Sequence, residues 1–277
     1  MRAGIVAKGH AGDLEAYLRR AVSFLKKKGV EVVLEEDLKG RVEGAQEGYP
    51  RRQLPFHVDF LLVLGGDGTL LSVADASARA GIPLLGVNLG FLGFLTEIKK
   101  EELEEALGEF LEGKAMVERR QMLEVEFKGR THLVLNDAVI NKSALARMIT
   151  VRVCVEGTEI SKIRADGIIV STPTGSTGYN LSAGGPIINP QVSAIIITPI
   201  CPHALTQRPI VIPSSSGVSL SLVSGEEVYL TLDGQRGEAM VEGQRVSVRE
   251  ARERLLLVRP AGRSYYQMLK EKLGWGS

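Results

Sequence analysis

Phe60-Leu61-Leu62-Val63-Leu64-Gly65-Gly66-Asp67-Gly68-Thr69-Leu70-Leu71-Ser72-Val73-Ala74 is the stretch that decides how this chain is read. Its opening apolar run has no polar alternation, so it reads as a strand buried on both faces of a parallel sheet. The residues after Thr69 favour a helix. The glycines therefore stand on a strand-to-helix turn, where backbone N–H groups lack partners and the helix dipole is positive. Glycine lets such a turn bend sharply and lets a phosphate approach the backbone unobstructed. Asp67 is the unusual member. A bare phosphate cradle has no use for a carboxylate, whereas a phosphate site that also needs a base or a magnesium contact has. The string lacks the Gly-Lys-Ser/Thr ending of a P-loop and the Gly-x-Gly-x-x-Gly spacing of a dinucleotide fingerprint, and taken alone it also suits a tight turn.

Outward from this turn, strands and helices alternate. Ala3–Lys8, Glu31–Leu34 and Ile82–Val87 read as strands, and Arg41–Leu54 as a loop. Asp13–Lys28 reads as a helix with Leu14, Leu18, Val22 and Leu25 on one face, and Lys99–Gly113 as a second amphipathic helix. Alternation of this kind predicts a parallel sheet covered on both sides. Near residue 118 the pattern changes to short β-type runs: Met122–Phe127, Thr131–Val134, Met148–Val155, Gly167–Ser171, Ala194–Pro199, Ile210–Ile212, Val218–Leu222, Glu227–Leu232 and Arg254–Val258. That spacing predicts a β-sandwich. Ser264–Leu273 reads as a closing helix. The expected organisation is a Rossmann-like α/β domain over residues 1–117, a β-sandwich over 118–258, and a segment, 259–277, that returns to the first domain.

The 277 residues carry a net charge of +1, so no global field recruits nucleic acid or an acidic membrane. Cys154 and Cys201 are far apart, which suits a reducing compartment and two small buried hydrophobes. Met1–Ala7 turns polar too soon for a secretory signal, and no apolar stretch reaches the ~18–20 residues of a membrane helix. The expectation is a soluble cytoplasmic protein without nucleic-acid or membrane partners. No His, Cys or acidic cluster has metal-ligand spacing, so no protein-built metal site is expected. His10, His57 and His132 read as solvated or packed, and Trp275 as an anchor for the tail.

A second informative string is Asp166-Gly167-Ile168-Ile169-Val170-Ser171-Thr172-Pro173-Thr174-Gly175-Ser176-Thr177-Gly178-Tyr179-Asn180-Leu181-Ser182-Ala183-Gly184-Gly185-Pro186-Ile187-Ile188-Asn189-Pro190. An apolar strand runs into a loop rich in hydroxyls and glycines, which offers donors to phosphate and ribose oxygens. Tyr179 is suited to stack on a base or a nicotinamide ring.

Along nearly its whole length the sequence resembles the NAD kinases. The resemblance is carried by Gly65–Thr69, then Asn88-Leu89-Gly90-Phe91-Leu92-Gly93-Phe94-Leu95, Leu135-Asn136-Asp137, the Asp166–Pro190 string, Thr198–His203 with Arg208–Val211, and Leu232-Asp233-Gly234-Gln235. It implies phosphorylation of the adenosine ribose 2′-hydroxyl of NAD by ATP or polyphosphate, with magnesium or another divalent cation on the ATP phosphates. It also implies an α/β domain followed by a β-sandwich, and assembly as a homodimer or homotetramer.

The resemblance assigns residues as well. Asp67 is the expected general base, and Gly65, Gly66, Gly68 and Thr69 the expected holders of donor phosphates. For NAD the expected contacts are Asp67, Gly68, Phe94, Asn136, Asp137, Arg147, Arg164, Asp166, Thr177, Gly178, Tyr179, Asn180, Leu181, Ser182, Cys201 and Gln235. Among these, Asn136 and Asp137 are assigned to ribose hydroxyls and Phe94 to the adenine pocket. Arginine at the position of Arg164 accompanies strict use of NAD in the family, where glycine accompanies use of NADH. Two rival readings are a soluble lipid kinase with the same glycine loop and a non-catalytic dinucleotide sensor in which Asp67 is dispensable.

Overall fold

Two compact units organise the computed structural model of the chain: Met1–Arg119 with Leu255–Ser277, and Arg120–Arg254. The structure describes residues 1–8, 14–43, 45, 47–90, 93–260 and 262–275. His10, the helix start at Asp13 and Phe91-Leu92 lie outside the described residues.

The first unit comprises β1 (Arg2–Ala7), α1 (Leu14–Lys27), β2 (Glu31–Glu35), β3 (Gly48–Tyr49), β4 (Phe60–Leu64), α2 (Asp67–Ala80), β5 (Pro83–Asn88), β6 (Ile98–Lys99) and α3 (Leu103–Leu111). Its parallel strands lie in the order β5-β4-β1-β2-β3, with Ala7 paired to Leu64 and Leu62 to Leu85. Every residue of β4 is buried, the reason that run carries no polar alternation. Leu14, Leu18, Ala21, Val22 and Leu25 of α1 join Ile5, Leu34 and Leu62 in one core. Gly81, at φ +68°, ends α2 in the left-handed conformation that glycine adopts without a Cβ clash. The predicted Lys99–Gly113 helix begins instead with a 3₁₀ turn, Lys100–Glu102, and β3 interrupts the expected Arg41–Leu54 loop.

Chain direction matters here. From β1 the chain passes through α1 to β2 on one side, and from β4 through α2 to β5 on the other. The winding reverses between β1 and β4, and in open α/β sheets the crevice at the carboxyl ends of two such strands is where ligands bind.

The second unit is built from β7 (Met116–Phe127, in part), β8 (Arg130–Val134), β9 (Asp137–Lys142), β10 (Ile149–Val155), β11 (Thr158–Ala165), β12 (Gly167–Ser171), the short α4 (Tyr179–Ser182), β13 (Ala194–Ile200), β14 (Ile210–Pro213), β15 (Val218–Ser224), β16 (Val228–Leu232), β17 (Arg236–Met240) and the first part of β18 (Arg245–Arg259). One layer has the order β8-β7-β18-β15-β10-β11 and the other β14-β13-β12-β9-β16-β17. Val125, Val151, Leu220 and Val246 from the first layer and Ile140, Ile168, Ile197 and Leu230 from the second share a single core. This is the expected sandwich.

The end of β18 belongs to the first unit, where Leu256–Val258 pair in parallel with Pro83–Leu85. Arg259, only 5 % exposed, reaches Glu97 at 2.8 Å and Glu118 at 2.6 Å, so its buried charge is matched on two sides. A capping box between Ser264 and Gln267 opens α5 (Tyr265–Leu273). Trp275 is exposed and does not anchor the tail; Tyr265, Met268 and Leu269 do, because they lie on the inner face of α5. Cys154 is half-buried and Cys201 exposed, so neither is the buried hydrophobe expected. Among the described residues no helix is long and apolar enough to cross a membrane.

Candidate active site

The two leading glycines of the Gly65–Thr69 turn have different reasons to be glycine. A Cβ on Gly65 would fall 2.6 Å from Thr69 Oγ1, so the fold itself forbids a side chain there. A Cβ on Gly66 would meet nothing within 4 Å. Gly66 is extended, precedes the first turn of α2 and provides no side-chain cap. Thr69 N–H donates to Gly66 O at 2.9 Å, and the N–H groups ahead of it in a first helical turn have no helical acceptor one turn earlier.

Asp67 does not cap its own helix. Its Oδ2 accepts from the Phe94 N–H at 2.8 Å, and its Oδ1 accepts from Leu95 N–H at 3.1 Å, Thr96 N–H at 3.0 Å and Thr96 Oγ1 at 2.9 Å. A carboxylate oxygen offers about two lone-pair sites. Oδ1 is therefore saturated, and Oδ2 keeps one site. Asn88 braces the same segment, donating to Thr96 Oγ1 at 3.0 Å and accepting from Gly90 N–H at 2.6 Å. Gly93 makes the approach possible, since a Cβ there would lie 2.6 Å from Asp67 Cγ and closer still to Oδ1. Phe94 is half-buried, and Lys272 Nζ stands 5.6 Å from its ring centroid.

In the second unit a comparable clamp centres on Asp233. Its carboxylate accepts from the N–H groups of Leu135 at 2.8 Å, Asn136 at 2.7 Å and Asp137 at 3.1 Å, and its own N–H donates to Asp137 O at 3.0 Å. Thr172 closes the other side, its N–H donating to Asn136 O at 2.8 Å and its Oγ1 to Leu135 O at 2.6 Å. Gly175 packs so tightly that a Cβ would lie 2.6 Å from the Asn136 carbonyl carbon. Burial, and after it the Asp233 charge, push the Asp137 carboxyl up to about 7. Burial also raises the Tyr179 phenol, followed by the influence of Cys201, Asp137 and Asp166. These expected residues therefore share one electrostatic neighbourhood.

Asn180 departs from its neighbours. It is fully buried, its Nδ2 donates to Ser176 O and Pro186 O, each at 3.1 Å, and its Oδ1 accepts from Thr198 Oγ1 at 2.6 Å. Both amide ends thus have protein partners, and the side chain holds the loop. Thr177, Gly178 and Leu181 are half-buried, and Tyr179 and Ser182 are exposed. Asp166 faces Lys142 Nζ at 3.7 Å. Arg147, Arg164 and Gln235 are exposed, and among the described residues the two arginines form no ion pair. His57, exposed, stacks on Tyr49 with ring centroids 3.8 Å apart, and His132 lies 3.2 Å from Arg236 Nη1.

The expected residues thus divide. Gly65–Thr69 and Phe94 belong to the first unit; Asn136, Asp137, Arg147, Arg164, Asp166, Thr177–Ser182, Cys201 and Gln235 belong to the second. Gly93 and Thr96 were missed as supports of Asp67, and Asp233 as the support of Asn136-Asp137. Gly93 and Asp233 both stand inside motif strings, which was the available signal. Among the described residues no three His, Cys, Asp or Glu side chains gather as metal ligands.

Residues 3–115 match the family profile of the ATP-NAD kinase N-terminal domain, and residues 135–260 that of the ATP-NAD kinase C-terminal domain. The NAD kinase of Geobacter sulfurreducens is 48% identical over 278 residues, spanning 98% of each chain. That of Aquifex aeolicus is 46% identical over 228 residues, spanning 80% of this chain and 83% of its own. Among solved structures, yeast NADH kinase complexed with NADH superposes with a TM-score of 0.91 at 26% identity, covering 100% of this chain and 88% of its own. An NAD kinase from Archaeoglobus fulgidus in complex with ATP gives 0.80 at 28% identity, covering 99% and 98%.

Proposed function

We propose, from the premise that this chain belongs to the NAD kinase family and phosphorylates NAD, that Asp67 is the base for the reaction and that the glycine loop holds the donor phosphates. The observation that carries the proposal is the unequal use of the two Asp67 oxygens: Oδ1 is saturated and Oδ2 retains an accepting site. The acceptor is the adenosine ribose 2′-hydroxyl. Its proton passes to Asp67 Oδ2, its oxygen bonds the terminal phosphorus of the donor, and the bond from that phosphorus to the rest of the donor breaks. With ATP the products are NADP and ADP; polyphosphate is the other donor considered. The open space before Gly66 and the positive end of α2 suit the donor phosphates. A divalent cation would arrive on those phosphates and neutralise their charge.

The remaining NAD contacts belong to the second unit. Asn136 and Asp137, clamped by Asp233, are suited to ribose hydroxyls, with Tyr179 in the electrostatic reach of Asp137 and Asp166; Thr177 is proposed as a further contact. Residues 118–258 are accordingly proposed as the NAD-binding domain. A cytoplasmic location and assembly as a homodimer or homotetramer belong to the same proposal, the latter checked by light scattering.

The geometry also favours a second role for Asp67, as the anchor of the segment carrying Phe94. The two roles separate in Asp67→Asn. Loss of the base lowers kcat by about 10²–10⁴-fold with NAD affinity retained. Loss of the anchor alone weakens NAD binding and leaves kcat near wild type at saturation. A variant that keeps both kcat and affinity sinks the assignment, and the non-catalytic sensor then becomes the better account of the loop.

A further inference from the structure

We infer that Lys8 is a further substrate-binding residue, whose ammonium contacts the terminal phosphates of the donor; the inference rests on the reading of the glycine loop as the donor site. Lys8 is the first residue after β1, and its N–H donates to Leu64 O at 3.1 Å, which fixes its backbone against the last residue of β4. One step further along the register stands Gly65, where an added Cβ would come 3.4 Å from Lys8 Cβ. Lys8 therefore flanks the glycine loop at the place where the winding of the sheet reverses, the crevice of an open α/β sheet.

The surroundings leave this cation available. Arg51, the neighbouring cation, is committed to the protein: Nε lies 2.5 Å from Glu35 Oε2, and Nη2 donates to Glu35 Oε1 at 3.0 Å and to Ala7 O at 2.9 Å. Glu35, 2 % exposed, also accepts the Ala7 N–H at 2.8 Å. The buried pair thus clamps both peptide groups of Ala7 and holds the end of β1, and it leaves the Glu35 charge neutralised by Arg51. Lys8 is exposed and forms no ion pair or side-chain hydrogen bond with a described residue. A flexible ammonium beside an uncrowded phosphate loop is a point charge suited to phosphate oxygens. Phosphoryl transfer depends on such neutralisation, because charge is spread over the oxygens of the transferring group.

The test compares Lys8→Met, Lys8→Arg and Gly66→Ala with wild type in NADP formation, varying ATP at saturating NAD, with NAD affinity and thermal midpoint measured alongside. Removal of one charge-assisted hydrogen bond to the donor corresponds to about a 10- to 100-fold fall in kcat/KM for ATP. Lys8→Met should show that fall with unchanged NAD affinity and midpoint, and Lys8→Arg should recover most of it. If Lys8→Met matches wild type while Gly66→Ala loses ATP efficiency, the Lys8 assignment is overturned and the loop remains the donor site. If both variants match wild type, the loop is not the donor site, and both readings fall. A defect in NAD affinity rather than ATP efficiency overturns the assignment too.

Discussion

Gly93→Ala perturbs the site through a single methyl group. A Cβ at this position would lie 2.6 Å from Asp67 Cγ and 2.5 Å from Thr96 Oγ1, where ordinary contact starts near 3.4 Å. Relief by the side chain alone requires Asp67 Cγ to retreat by about 0.8 Å, the difference between those separations, and Oδ1, which would stand closer still, to retreat further. The hydrogen bonds to Asp67 now measure 2.8–3.1 Å, so such a retreat breaks or lengthens some of them. A charge-assisted bond is worth about 1.5–3 kcal/mol and overpacking costs roughly 1–3 kcal/mol, so with one such bond lost we expect a total loss of about 2.5–6 kcal/mol of stability. A displacement of about 1 Å at a catalytic group lowers the rate by about 10²-fold. The assay is steady-state NADP formation with NAD affinity and urea unfolding in parallel. Gly90→Ala is the control, because its Cβ would come no closer than 4.0 Å to a neighbour, Asn88 Oδ1. A Gly93→Ala enzyme with wild-type kcat and stability would refute the claim that the Asp67 position is set by this contact.

Asp137 makes stability pH-dependent. Its folded-state pKa of about 7 stands above the 3.8 of an unfolded chain, so the folded protein holds the extra proton between those values. Stability contributed by that proton is full below about pH 4 and falls as pH rises toward 7, by roughly 4 kcal/mol at most. Asp137→Asn should flatten this slope in unfolding measured from pH 4 to 8, and an unchanged slope would disprove the assignment. If the ionised carboxylate accepts ribose hydroxyls, NAD affinity should also fall as pH drops below about 7, which calorimetric titration checks. Asp233→Ala removes the acceptor of the Leu135, Asn136 and Asp137 N–H groups and should cost about 3 kcal/mol while raising the KM for NAD roughly tenfold. Arg164→Gly should raise the turnover of NADH relative to NAD, the wild type preferring NAD; equal use of both by wild type would refute that expectation.

What could be read from the sequence follows how local each signal is. β4 and β12 were visible as unbroken apolar runs because both faces of each are covered. β11 was missed, since its burial is confined to Ile163 and Ala165 while Ile160 is exposed, so its apolar residues do not alternate in the sequence. β9 was obscured because it begins with Asp137, a buried acid in what reads as a turn. Asp67 was legible from its glycines, but its real partners lie 27–29 residues away and were not. Asp233 meets the Asn136 turn across 97 residues, so its function as a clamp depends wholly on the fold. The hydrogen bonds that tie the buried Asn180 amide to Ser176, Pro186 and Thr198 were not legible either, because they too depend on the fold.

The most direct test of Asp67 as the base is a single-turnover measurement of NADP formation with Asp67→Asn, saturated with NAD and ATP, beside the wild type. Saturation removes any loss of affinity from the comparison. The account predicts a rate about 10²–10⁴-fold below wild type in a variant that still binds NAD. A single-turnover rate equal to that of the wild type would contradict it, leaving Asp67 as the anchor of the Phe94 segment alone.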